Sequence, residues 1–340
     1  TMDEGLSHAV ETVFTRMYKD GLIYRGDRIV NWCTRCQSTL ADDEVEYKEE
    51  KTAFYYFKFG PFSIGTVRPE TKLADKVVIV HPKDKRYKKW HNKKMMIPWI
   101  DGEVEMHVIA DEAADMEMGS GAMTITPAHS FIDFELAQKY KIPVLNIIGE
   151  DGTLTDNAGA FKGLHVKDAR KDFVKILKKK GLVEKIDENY VHNVSVCYRC
   201  DTPVEPLVSR QWFVNVDKKV IKRGNRKISL KEASIEVVKK GETEIIPSQF
   251  EKVYFHWMEN LHDWCISRQI WWGHRIPVWY SSKSKELRVQ GKSPKETALT
   301  GKWKQDPDTL DTWFSSALWT FSTLGWPKKT KELEYFHPTS

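Results

Sequence analysis

Four cysteines stand in two short, matching turns. Val30–Asp43 reads VNWCTRCQSTLADD and Asn193–Pro206 reads NVSVCYRCDTPVEP, so Cys33 and Cys36 form one C-x-x-C and Cys197 and Cys200 another. Such a turn offers two thiolates to one metal ion over a short reach, and two turns complete a tetrahedral four-sulfur shell. That is the chemistry of a closed, structural zinc site with no open position for a substrate. Two unrelated cysteine pairs, or a thioredoxin-like redox pair, compete with it. A redox motif needs only one C-x-x-C, in a strand–helix context that neither turn has. About 160 residues separate the two turns, far more than a compact zinc ribbon spans. What lies between them reads as an insertion, with the metal clamping two chain crossings at its neck. The fifth cysteine, Cys265 in WCISRQ, reads as a small buried apolar side chain.

Within the insertion, two stretches group polar side chains. GTVRPETKLADK (Gly65–Lys76) carries Thr66, Arg68, Glu70, Thr71 and Asp75 around Pro69. GSGAMTITPAHSFIDFE (Gly119–Glu135) runs from a glycine-rich turn through an apolar and threonine strand to Pro127, His129 and a helix opening near Phe131. Ser130 is the natural N-cap of that helix, and Asp133 falls in its first turn, where a carboxylate is favoured. Singly, each of these side chains reads as a cap or turn residue. Together they compose a polar pocket with Arg68 as an anion anchor and Asp133 as an acceptor for an amine. Spacing alone leaves both readings open. Sequence order brings out no Ser–His–Asp or Cys–His nucleophile.

The elements that must position these groups follow from periodicity. Strand-like runs cover Thr52–Phe59, Ile64–Val67, Val77–Val80, Val104–Ile109 and Ala122–Thr126. Helices are expected over Phe131–Tyr140 and over Lys167–Lys180, with Gly181 just past the end. Strands and helices mixed in one unit predict an α+β or closed β domain. Ahead of the first C-x-x-C, Leu6, Val10, Val13, Phe14 and Met17 recur at helical steps, and Gly21 stops that helix. The basic run KILKKK (Lys175–Lys180) is a solvated helix end, favoured at the C-terminus, rather than a binding patch.

Composition bounds the class. At 340 residues, two domains are expected. The 41% hydrophobic and 30% charged content suits a globular protein. A net charge of +5 permits an anionic partner such as nucleic acid without demanding one. No apolar run approaches the roughly 20 residues that cross a bilayer, so no membrane partner is expected. No signal-peptide pattern stands at Thr1. Five cysteines in this length are not a disulfide framework. They point to a reducing, cytoplasmic location, where paired cysteines bind metal. Both ends read as cut, so an internal segment of a longer chain is expected.

After the second C-x-x-C come SRQWFVNV (Ser209–Val216), NLHDWCISRQIWWGHRIPVWY (Asn260–Tyr280) and DPDTLDTWFSSALWTFSTLGWP (Asp306–Pro327). Together with GLIYRGDRIVNWCTRC, TVRPET and ITPAHSFIDFE, these stretches resemble the valyl-tRNA synthetases, a family of class I aminoacyl-tRNA synthetases. The motifs occur in the family's order over nearly all of the chain. TVRPET with ITPAH, and DTWFSSALW, resemble the valyl enzymes. Isoleucyl relatives would show TTPWT- and DVWFDSG-type stretches, and leucyl relatives TTRPDT.

The resemblance implies a mixed α/β and β-rich fold, in which a Rossmann-type catalytic domain is interrupted by an inserted, β-barrel-like α+β editing domain. Residues 1–46 would carry catalytic-side elements and a zinc knuckle, residues 47–193 the editing domain, and residues 194–340 the knuckle's return and an incomplete second catalytic part. The full-length enzyme would join valine to tRNA(Val) with ATP and Mg, as a monomer. An apolar valine pocket rejects isosteric threonine only by about a hundredfold, a magnitude known for the valyl enzymes themselves. A second site must therefore hydrolyse threonyl-tRNA(Val). By motif position Arg68, Thr71, Thr126 and Asp133 would line it, with Asp133 on the α-ammonium and Arg68 facing the terminal adenosine or its phosphate. A positioned water, helped by the tRNA ribose hydroxyl, would hydrolyse the ester. Trp272 and Trp313 match positions lining the amino-acid pocket, and Asp308 one near the adenylate ribose.

The family's HIGH and KMSKS signatures, which hold ATP, are expected outside this segment, and GHRIP (Gly273–Pro277) is a different motif. The chain alone is thus expected not to aminoacylate. Valyl editing sites commonly read K-[IV]-TPAHD, where this chain has Thr124 for the lysine and Ser130 for the last aspartate. Two other readings compete: an isoleucyl-type editing segment, and a zinc-stabilised tRNA-binding module without catalysis.

Overall fold

The computed structural model describes residues 2–338. The chain divides into two compact units, Arg28–Ser209 on one side and Thr1–Asp27 with Arg210–Ser340 on the other.

The unit Arg28–Ser209 is built on a long antiparallel ribbon. Val45–Phe59 pairs with Val183–Cys197 from Val45↔Cys197 to Phe57↔Val183, with register shifts between Thr52 and Phe54 and between Tyr56 and Phe57. Phe62–Thr66 adds a third strand through a turn at Gly60, whose φ of 60° suits a residue without Cβ. Residues 46–51 are exposed, whereas Phe57 and Phe59 at the far end are buried. The ribbon therefore leaves the cysteines as a solvated arm and becomes a core strand further on. Periodicity predicted only Thr52–Phe59, because the charged half EYKEEK has no apolar alternation; the partner strand holds its backbone instead.

The second sheet has the order Lys94–Trp99, Gly102–Ala110, Val77–Val80, Ala122–Thr124. Val77–Val80 runs parallel to Gly102–Ala110 and antiparallel to Ala122–Thr124. All four residues of VVIV are buried, as in a strand covered on both faces. Val78 and Val80 join Phe57, Trp99, Met106 and Phe173 in one core, whereas Val77 and Ile79 pack with Ile109, Ile125 and Leu136 in another. Period-two alternation thus divides one strand between two cores. Helix Val166–Lys179 supplies Phe173 to the first, and helix Phe131–Tyr140 supplies Leu136 to the second. Phe131–Tyr140 has the expected bounds with Ser130 as its cap, and Gly181 follows the other helix at φ 68°.

These sheets of three and four strands stay open, and no barrel closes among the described residues. This corrects the barrel-like expectation. The strand expected over Ala122–Thr126 stops at Thr124, ahead of Pro127, which has no N–H to donate to a ladder. Helices, not further strands, continue the cover.

In the other unit, helix Glu4–Lys19 buries Val10 and Phe14 of the expected stripe, together with Ala9, and leaves Leu6, Val13 and Met17 half-buried. Val10 and Phe14 share a core with Ile23, Trp212, Ile266, Ile276, Leu310 and Phe314. Buried Asp306 accepts from the Trp212 indole at 3.0 Å and the Tyr280 hydroxyl at 2.7 Å. Cys265 is half-buried rather than buried, with its sulfur 3.8 Å from Ser267 Oγ. It sits on a two-residue strand beside polar groups, which is why the small-apolar reading fails.

Candidate functional site

The unit Arg28–Ser209 holds two constellations. The first is the cysteine cluster. The four sulfurs of Cys33, Cys36, Cys197 and Cys200 lie within 4.8 Å of one another. Cys200 Sγ is 3.5 Å from Cys33 Sγ and 3.6 Å from Cys36 Sγ. Zinc–sulfur bonds of about 2.3 Å in a tetrahedron place sulfurs about 3.8 Å apart, so the cluster fits a single ion. Leu40, Val45 and Val204 pack around it. Burial pushes the Cys33, Cys36 and Cys197 thiols up. Burial also opposes ionisation at Cys200, but hydrogen bonds from Thr202 and the neighbouring thiols outweigh it and hold that thiol at about 6. The pairing Val45↔Cys197 puts the cluster at the root of the ribbon.

The second constellation sits at one end of the four-stranded sheet. Thr71 and Lys72 lie in a 3₁₀ turn, Pro69–Leu73, which leads through Asp75 into Val77–Val80. Thr126 follows Ala122–Thr124, and Asp133 is in the first turn of its helix. The Thr126 amide donates to Asp133 Oδ2 at 2.8 Å, and its hydroxyl donates to Asp75 Oδ1 at 2.7 Å. Lys72 Nζ reaches Asp75 Oδ2 at 2.9 Å and Thr126 Oγ1 at 3.1 Å. Asp75, Thr126 and Asp133 are all buried. Asp133 has no ion-pair partner among the described residues. Burial pushes its carboxyl above the ordinary range, with Lys72 and the Thr126 amide opposing. Ser130 Oγ caps the helix by accepting from the Asp133 amide at a long 3.4 Å.

Arg68 and Thr71 are joined to each other, since the Thr71 hydroxyl donates to the Arg68 carbonyl at 2.8 Å. The Arg68 guanidinium is held by Glu205, at 2.6 and 2.7 Å, and lies 3.7 Å from Glu70. Glu70 is in turn gripped by Arg170 through bonds of 2.8 and 2.9 Å. His129 Nε2 accepts from the amides of Ile147 and Ile148 at 3.0 and 3.2 Å. Its proton therefore sits on Nδ1, which donates to Glu205 Oε1 and the Pro206 carbonyl, both at 3.1 Å. With both nitrogens engaged, this histidine is a strut and has no lone pair left for a base.

Sequence reasoning gave no role to Lys72, Glu205 or Arg170. Glu205 follows the second C-x-x-C directly, yet nothing in spacing ties it to Arg68. Lys72 was hidden as an ordinary charged turn residue.

The expected adenylate-side residues lie in the other unit. Trp272 and Trp313 are exposed, at 77% and 59%. Asp308 Oδ2 accepts from Gln269 Nε2 at 2.9 Å, and its carbonyl accepts from the Ile276 amide at 3.1 Å. The segment just after Trp272 thus runs beside Asp308.

These motifs, in this order, match the tRNA synthetases of class I (I, L, M and V) over residues 1–299 and 292–340, and the chain belongs to that family. Along its whole length it is similar to the valine–tRNA ligases of Clostridium acetobutylicum and Thermotoga maritima, at 46% identity over 347 residues each. It is 45% identical over 349 residues to that of Geobacter sulfurreducens. The chain spans 38% of the length of each of these relatives.

Proposed function

We propose that this chain is the editing segment of a valine–tRNA ligase, and that the pocket around Asp133 hydrolyses threonyl-tRNA(Val). The whole ligase would join valine to tRNA(Val) with ATP. The observation that carries the reading is Asp133 itself, a buried carboxylate that accepts from the Thr126 amide and has no ion-pair partner among the described residues. An unpaired buried carboxylate is costly, and the α-ammonium of an aminoacyl ester is a cation that suits it. Thr126 orients the carboxylate, while Thr71 fixes the turn that carries Arg68. Arg68, partly exposed and tied to Glu205, presents positive charge toward a nucleotide.

In the reaction, a water oxygen adds to the ester carbonyl carbon. The bond from that carbon to the ribose oxygen breaks, the ribose oxygen takes one of the water's protons, the other passes to solvent, and threonine leaves as its carboxylate. With His129 engaged at both nitrogens, the tRNA's own ribose hydroxyl is left to help position the water. The four cysteines would hold one structural zinc at the root of the ribbon, and this chain's residues 47–193 would form the inserted domain above it.

The test is deacylation of threonyl-tRNA(Val) by the chain, with valyl-tRNA(Ile) as the comparison. Hydrolysis of the first and not the second is expected. The reverse preference favours an isoleucyl-type site, and salt-dependent tRNA binding with no deacylation favours a binding module.

A further inference from the structure

The pocket's charge can be counted. Asp75 and Asp133 bring two buried carboxylates, and Lys72 is the cation bonded to their chain among the described residues. Lys72 satisfies Asp75 and braces Thr126, whose amide in turn holds Asp133. The charged groups acting on Asp133 are Lys72, which favours its ionised form, and Asp75, which opposes it. With all three ionised the group carries one net negative charge, which a single ligand ammonium cancels.

Thr124 lines the same cleft as Lys72 and Asp75, with Phe57, Ile64 and Trp99. Its buried hydroxyl has no hydrogen-bond partner among the described residues, an uncommon state for a group of this kind. A lysine there would find Asp75 across the cleft, the acceptor that Lys72 now uses.

We propose that Lys72 is a positioning residue of the editing pocket, whose ammonium fixes Asp75 and Thr126 and leaves Asp133 as the single unmatched carboxylate for the aminoacyl ammonium. Because Thr124 lines the same cleft as Lys72 and Asp75, a lysine at 124 should stand in for Lys72. The inference rests on the editing reading above.

The experiment compares the whole chain with Lys72→Met, Lys72→Met/Thr124→Lys and Thr124→Lys. Two readouts are taken: the NMR titration midpoint of the Asp133 carboxyl, and the pH profile of threonyl-tRNA(Val) deacylation. Lys72→Met should raise the midpoint and slow deacylation about tenfold near pH 6, with a smaller loss at higher pH. The double variant should bring both back toward wild type, which a purely structural loss would not do. Thr124→Lys alone keeps Lys72, adds a second cation, and should lower the midpoint while raising KM. An unmoved midpoint in Lys72→Met, or a double variant that restores neither readout, overturns the proposal. Should Lys72→Met not fold, an unmoved midpoint in Thr124→Lys overturns it. A wild-type chain without deacylation refutes the editing reading, while the titration still decides the role of Lys72.

Discussion

Arg68 and Glu205 stand 137 residues apart and meet through two hydrogen bonds of 2.6 and 2.7 Å. Burial works against the Glu205 carboxylate, but the Arg68 charge and the His129 contact outweigh it and hold its pKa below the ordinary range. Removing one member of a buried pair leaves the other charge uncompensated. Glu205→Ala should therefore destabilise the chain by about 3 kcal/mol, at the low end for such pairs because Arg68 keeps some solvent access. The sign with pH is fixed. A depressed carboxylate contributes its stability above the ordinary carboxylate range and loses it as pH falls through the folded-state value. Urea unfolding of both proteins should show the gap at neutral pH and a smaller gap in acid. A gap that widens in acid contradicts the pairing.

Asp133 predicts the opposite sign. Its carboxyl is raised by burial, so ionisation costs more in the folded state than in the unfolded chain. That cost is absent below the ordinary carboxylate range and complete above the folded-state value. Asp133→Asn keeps an oxygen for the Thr126 amide and removes the charge. It should raise Tm at neutral pH, lose that advantage in acid, and slow deacylation of threonyl-tRNA(Val) by about a hundredfold or more. A variant with unchanged deacylation sinks the role of Asp133 as amine anchor, whatever its stability.

Local signals carried much of this pocket into view. The cap at Ser130, the helix Phe131–Tyr140 and the buried run VVIV were legible because each is set by neighbours in sequence. The cysteine pairs were legible because ligand spacing is itself short-range. The strand Lys94–Trp99 was not, although it pairs in a tight hairpin with the adjacent Gly102–Ala110, and neither were the arm residues 46–51, since pairing with a distant strand, not alternation, makes them a strand. Glu205 and Arg170 escaped for the same reason: their partners lie more than a domain's worth of turns away along the chain.

Metal content gives a third expectation. The four-sulfur cluster fits one ion, so the purified chain should hold about one zinc. Because thiolates bind metal in competition with protons, the zinc should be lost on acidification or to a strong chelator. Cys197→Ser should loosen the ribbon root, seen as faster proteolysis near Cys33–Cys36. The Asp133 pocket is built from other strands, so deacylation by the variant should fall far less than in Asp133→Asn. Equal loss in both would place the metal in the chemistry instead of in the scaffold.

The last expectation concerns the other unit. Trp272 and Trp313 stay exposed, and Trp271 is fully so. Aromatic side chains of a working amino-acid pocket are covered on most sides. Asp308, meanwhile, is committed to Gln269. By the proposed assignment these residues would form one wall of a valine-adenylate site, and the chain spans 38% of the length of its relatives. One wall can neither bury valine nor hold a triphosphate. ATP–pyrophosphate exchange with valine should therefore be undetectable in this chain, and acrylamide should quench much of its tryptophan fluorescence. In a longer chain that supplies the opposite wall, exchange should appear and Trp272→Phe should raise KM for valine. Deacylation should be indifferent to Trp272→Phe, because the Asp133 pocket has its own core. Exchange by this chain alone would mean that the unit binds ATP without the family's usual signatures.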